Sequence, residues 1–163
     1  MNLPATPSQT VGPFFGVGLP FEGSENLVAP GSPGAIRIEG QVLDGHGDPV
    51  PDALIELWNP DAGFGRCRSD PEGAFHFVVA KPAVANGDRS APYFNVTVFA
   101  RGLLRHLITR LYFPDEVEAN AQDPVLQMVE PDRRSTLIAT GDASLLRFDV
   151  RLQGDQETVF FAI

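Results

Sequence analysis

Past residue 34, apolar and polar residues alternate with a period of two through most of the chain. Ile36-Arg37-Ile38-Glu39 running into Gln41-Val42-Leu43 predicts one strand, and Ala53-Leu54-Ile55-Glu56-Leu57-Trp58 a second. Arg66-Cys67-Arg68, Ala74 to Val79, Tyr93 to Ala100, Arg105 to Tyr112, Leu145 to Gln153 and Thr158 to Phe161 continue the series. Asp44-Gly45-His46-Gly47-Asp48-Pro49, Asn59-Pro60-Asp61-Ala62-Gly63 and Asp70-Pro71-Glu72-Gly73 separate strands with residues that form turns: Pro sets φ, Gly allows positive φ, and Asp or Asn bonds the backbone ahead. Asp115 to Asn120 and Asp132 to Ala139 fit short helices, the second with Pro131 before it and an acidic start. Seven or eight short strands with tight turns predict an all-β chain: an antiparallel β-sandwich with short helices between strands. Trp58, at the end of a core strand, is expected in the core.

Residues 1–34 do not share this periodicity and read as an N-terminal arm and loop preceding a β-sandwich domain over 35–163. Thr6-Pro7-Ser8-Gln9-Thr10-Val11-Gly12-Pro13-Phe14-Phe15 is too irregular for a strand and too apolar for a frayed tail. Gly12 before Pro13 suggests a bend that a Cβ would resist, and Phe14-Phe15 offers an apolar anchor. Two readings are open: an arm that lies on its own domain, or one that completes a site or an interface.

Composition narrows the classes of function. A chain of 163 residues, 43% hydrophobic, fits one globular domain. A net charge of -9 repels nucleic acid and anionic membrane at long range, so an anionic substrate would need a local cation. The chain has no apolar run of membrane-spanning length and no signal-peptide pattern at its start, which predicts a cytoplasmic protein. The one cysteine, Cys67, leaves no internal disulfide, and with no histidine beside it in sequence it reads as a structural thiol. No phosphate loop, metal-binding cysteine pair or serine nucleophile elbow is present.

Gly40-Gln41-Val42-Leu43-Asp44-Gly45-His46-Gly47-Asp48-Pro49-Val50, the strand Ala53 to Trp58, and Asp70-Pro71-Glu72-Gly73-Ala74-Phe75 together resemble the core of the intradiol ring-cleaving dioxygenases. Thr6 to Phe14, Phe99-Ala100-Arg101-Gly102 leading to His106-Leu107-Ile108-Thr109-Arg110-Leu111-Tyr112-Phe113, and Arg147 to Gly154 with Glu157 to Phe161 are similar to the α subunits of protocatechuate 3,4-dioxygenases. The resemblance implies cleavage of protocatechuate by O₂ to 3-carboxy-cis,cis-muconate in aromatic catabolism (the β-ketoadipate pathway). In the family, two tyrosines and two histidines hold a ferric ion, hard phenolates suiting Fe(III).

This chain has only Tyr93, Tyr112 and three histidines. On the resemblance, Tyr93 and Asn95 stand where the family's His-x-His pair lies, with Tyr93 filling the emptied metal cavity. A small residue near Ala85 replaces one ligand tyrosine, and the loop after Trp58 that carries the other is shortened. The resemblance thus implies no metal ligand and no catalytic residue here, with ferric iron in a partner β subunit. Thr10, Gly12, Pro13 and Phe14 of the arm, with Arg101, would then contribute to the substrate pocket, Arg101 facing a carboxylate. His46, His76 and His106 are expected to be structural or solvent-facing, and Arg133 and Arg134 to make ion pairs or subunit contacts. The rival readings are a non-enzymatic transthyretin-like binding or scaffold module and a free-standing intradiol enzyme with an altered metal site.

Overall fold

A computed structural model describes residues 4–84 and 89–162; the expectation at Ala85 and most of the polar loop of 86–90 lie outside them. After a short helix α1 (Phe15–Gly18) come β1 (Ala35–Leu43), β2 (Leu54–Asn59), β3 (Gly63–Arg68), β4 (Ala74–Ala80), β5 (Tyr93–Phe99) and β6 (Leu107–Tyr112). Then follow α2 (Val117–Gln122), α3 (Pro124–Met128), a 3-10 turn (Arg134–Leu137), β7 (Thr140–Gly141), β8 (Leu145–Arg147) and β9 (Val150–Arg151).

The strands form the two layers of a sandwich. One sheet runs β4-β1-β8-β7, with β9 also paired to β1; the other runs β3-β2-β5-β6. Ladders between chain neighbours are antiparallel, whereas β8 and β9 both run parallel to β1. Alternation places Ile36, Ile38, Phe75, Phe77 and Val79 of the first sheet against Ile55, Leu57, Phe94, Val96 and Val98 of the second, all in one core. Each large side chain buried this way contributes about 2 kcal/mol. Gly40 of β1 is crowded by its neighbours in the same sheet: a Cβ there would run into the Phe148 carbonyl and the Phe75 ring.

The C-terminal third departs from the sequence pattern. Leu145 to Gln153 is two strands rather than one, because Phe148 turns into the core and the Asp149 carboxylate takes the Gln41 amide at 3.0 Å, interrupting the ladder. Thr158 to Phe161 is not a strand. Its amides bond to different sheets, Thr158 to the Arg151 carbonyl and Phe161 to the Ile108 carbonyl, so the segment ties the layers together. Asp132 to Ala139 forms only the 3-10 turn. The cap lies earlier, where Asp123 accepts from Val125 N and Leu126 N, both at 2.9 Å, with Pro124 opening α3.

Trp58 corrects another expectation. It shares the outward parity of Glu56 on β2 and is 49% exposed beside Phe64, its partner on β3. The outer side of the β3-β2-β5-β6 sheet is covered near both ends. At one, Tyr112, Leu126, Val129, Leu137 and Ala91 form a second, smaller core. At the other lies the arm.

Candidate functional site

The arm lies on its own sandwich and also projects from it. Thr10 Oγ1 accepts from the Gly102 amide at 2.8 Å, tying the arm to the loop that follows β5. Phe15 meets the outward ring of Phe99 with centroids 5.2 Å apart, and Arg66 donates to the Leu19 carbonyl at 3.2 Å. Residues 24–28 then fill the open side of the sandwich between β3 and β4: Ser24 exchanges bonds with Arg66, and the Leu27 amide donates to the Val78 carbonyl. Gly65 has no side chain there, which leaves room for Leu27.

Between these anchors, Gly12, Pro13 and Phe14 stand out from the surface, Phe14 being 82% exposed. The two phenylalanines of the arm thus separate into Phe15 as anchor and Phe14 as projection. Gly12 is not left-handed, and a Cβ there would meet nothing within 4 Å, so the bend does not require glycine. A cleft of about 570 Å³ opens along the arm, walled by Val11, Phe15, Phe99, Leu104, His106 and Phe161.

Arg101 sits next to this anchor, in the turn after β5. It donates to Asp52 Oδ2 at 2.9 Å with its side chain 52% exposed, and Arg68 donates to the other oxygen of the same carboxylate. Thr10 and Arg101, 91 positions apart in sequence, are therefore brought to one corner of the molecule. Asp52 and Arg68 were not singled out from the sequence. Their signal was the register that sets Leu54 opposite Arg68, which places the end of β3 beside the turn that begins β2.

Tyr93 and Asn95, matched to the His-x-His pair, lie toward the other end of this sheet surface. Tyr93 and Asn95 point outward from β5, opposite Tyr112 and Arg110 of β6. The Arg110 guanidinium lies 3.9 Å from the centre of the Tyr93 ring and donates to the Tyr112 hydroxyl at 3.1 Å. That hydroxyl donates to the fully buried Asp123 at 3.0 Å, whose other oxygen accepts from the Ala91 amide. Burial pushes the Tyr112 hydroxyl well above the ordinary phenol range, against the pull of Arg110. A ferric ion does not fit beside a guanidinium held in this way, and among the described residues no three His, Cys, Asp or Glu side chains converge.

The other candidates are spread over the surface. His46 lies in its turn near Asp44, His76 pairs with Glu39 in register across β4 and β1, and His106 meets the Phe99 ring at 5.4 Å. Burial raises the Cys67 thiol above its ordinary value, as befits a structural thiol. Arg133 and Arg134 do not make the expected ion pairs among the described residues; they donate to the carbonyls of Glu157 and Val129. No helix among the described residues is long and apolar enough to cross a membrane.

Comparison with known proteins decides the family. The chain is 41% identical to a protocatechuate 3,4-dioxygenase alpha chain from Pseudomonas putida, over 98% of this chain and 96% of that one. It belongs to the protocatechuate 3,4-dioxygenase alpha-chain family. An alpha chain from Burkholderia cepacia is likewise 41% identical over 99% of both. A protocatechuate 3,4-dioxygenase beta chain from Burkholderia cepacia is more distant, 29% identical over 83% of this chain and 72% of that chain. No family model matches the chain. Among solved structures, the dioxygenase domain of a carbohydrate-binding fusion from Streptomyces sp. SirexAA-E superposes with a TM-score of 0.63 at 23% identity, covering 80% of this chain and 87% of that one. Catechol 1,2-dioxygenase from Pseudomonas arvilla C-1 gives 0.56 at 20% identity, over 80% of this chain and 56% of that one. At these identities the two structures support the intradiol dioxygenase fold. The alpha-chain alignment is longer than this chain's 163 residues, so the relatives carry segments that this member lacks.

Proposed function

We infer that this chain is the non-metal α subunit of a protocatechuate 3,4-dioxygenase. Its 41% identity to alpha chains over nearly its full length carries the reading. The partner is a β chain that holds the ferric ion, and the complex cleaves protocatechuate with O₂ to 3-carboxy-cis,cis-muconate. The filled surface at Tyr93 and Arg110 supports placing the metal in the partner, since this chain's residues at those positions already bond one another.

The chain's own contribution is positional. Residues 1–34 serve as an arm on the 35–163 sandwich, and the Thr10 to Phe14 stretch, exposed at all but Val11, shapes the wall of the partner's pocket. Arg101 supplies a fixed positive charge for the substrate's carboxylate, in a subunit whose net charge of -9 would otherwise repel it. The compartment is the cytoplasm.

Co-expression with a candidate β chain tests this reading. Purification through a tag on either chain is expected to recover both, and the complex to consume O₂ with protocatechuate while this chain alone does not. Turnover by the isolated chain would overturn the assignment. Failure to form any complex would favour a transthyretin-like module instead.

A further inference from the structure

Asp52 occupies an unusual position. Its φ of 66° is left-handed, a conformation that Asp adopts more readily than most residues with a side chain. The turn aims its carboxylate at two guanidiniums, with Arg101 on Oδ2 and Arg68 on Oδ1. A single Arg-Asp pair is formally neutral and offers an incoming anion little. Two arginines on one carboxylate leave a net positive charge, and among the described residues each guanidinium bonds only Asp52, with donors to spare. Arg68 is also part of the arm's seat: a Cβ at Gly16 of α1 would lie 3.4 Å from Arg68 Cδ and 3.1 Å from the Asp52 carbonyl oxygen. Arm, carboxylate and both arginines thus form one unit.

We propose that Arg68 is a specificity-determining residue: by sharing Asp52 with Arg101, it keeps the Arg101 corner cationic and so selects ring substrates that carry a carboxylate. This rests on the reading of Arg101 as the group that faces the substrate's carboxylate. Arg68 acts through Asp52 and does not itself touch the substrate. Both arginine side chains are exposed by 40% or more, so solvent screens the effect and its size is modest.

The test uses the assembled α–β complex, with protocatechuate as substrate and catechol as its uncharged counterpart, read by turnover or by competitive inhibition. Arg68→Gln is expected to raise KM for protocatechuate about three-fold, the size of a screened ion-pair effect, with kcat and the catechol constant held. Raising ionic strength about tenfold should shrink the difference, because it shortens the Debye length. Arg68→Lys should recover most of the loss. Asp52→Asn, which removes the negative charge and keeps a carbonyl acceptor, should lower KM for protocatechuate.

Equal losses on both ligands, or no rescue by lysine, would show that Arg68 only seats the arm and would overturn the proposal. Arg101→Ala separates this failure from failure of the parent reading. If Arg101→Ala discriminates between the ligands and Arg68→Gln does not, only the role of Arg68 falls; if Arg101→Ala costs both equally, both fall. Should Arg68→Gln fail to assemble, Asp52→Asn decides, and an unchanged protocatechuate KM in that variant refutes the charge argument.

Discussion

Arg110 and Arg101 stand at opposite ends of one sheet surface, each within reach of an acidic network, and differ in what is left for a ligand. Arg110 lies on the Tyr93 ring and bonds Tyr112, whose hydroxyl goes on to a buried Asp123 that also caps α3. Arg101, itself exposed, shares the partly buried Asp52 carboxylate with Arg68 beside a projecting arm. The first cation is consumed by the fold, and the second remains available. Under the proposed function, this difference assigns substrate contact to the arm end and leaves the Tyr93 end as a structural joint.

Breaking the joint should have the largest effect. Asp123→Ala removes the acceptor of three backbone amides and of the Tyr112 hydroxyl, and is expected to cost about 3 kcal/mol in chemical denaturation. A loss below about 1 kcal/mol would mean that the joint is not structural.

The raised Tyr112 hydroxyl sharpens the same point. The phenol stays protonated in the folded state at pH values where the unfolded chain ionises, so its contribution is complete below the unfolded value of about 10 and is lost as pH rises beyond it. Tyr112→Phe should flatten that alkaline loss of stability in pH-dependent unfolding curves.

At the arm end the expected effects concern the substrate. Arg101→Ala in the assembled enzyme should lower kcat/KM for protocatechuate at least about tenfold, the weight of a charge-assisted hydrogen bond, with catechol much less affected. Stability of the isolated chain should change little, because the ion pair it breaks is exposed. Phe15→Ala removes the ring seated on Phe99 and should cost the chain about 1–2 kcal/mol of apolar and ring contact; earlier proteolytic cleavage in the arm is the readout.

Gly12→Ala is expected to have the smallest effect, within about 0.5 kcal/mol in the isolated chain, since the position is open and not left-handed. Any loss of activity from it in the complex would therefore report close approach by the partner or the substrate.

Much of this fold was legible because strand burial follows local parity. Phe75, Phe77 and Val79, like Phe94, Val96 and Val98, announce their faces within a few residues. The same parity sets Trp58 outside, with Glu56, and its place at the end of a core strand was a misleading guide. What local pattern could not show were pairings made across the fold. The Asp149 carboxylate breaks β8 from β9 by bonding Gln41, and Thr158 to Phe161 bonds two sheets instead of one neighbour. Likewise Thr10 and Arg101 stood out through motif resemblance, whereas Asp52 and Arg68 became visible only when the β2-β3 register brought them under the arm.

The central claim is that this chain lends shape and charge to a substrate pocket whose metal is held elsewhere. Iron analysis of the separately purified chain, loaded with ferric ion and then desalted, tests it most directly when set beside the complex. The account predicts no retained iron and no phenolate-to-iron visible band in the chain alone, with both present in the complex. Stoichiometric iron and a visible band in the isolated chain would contradict it.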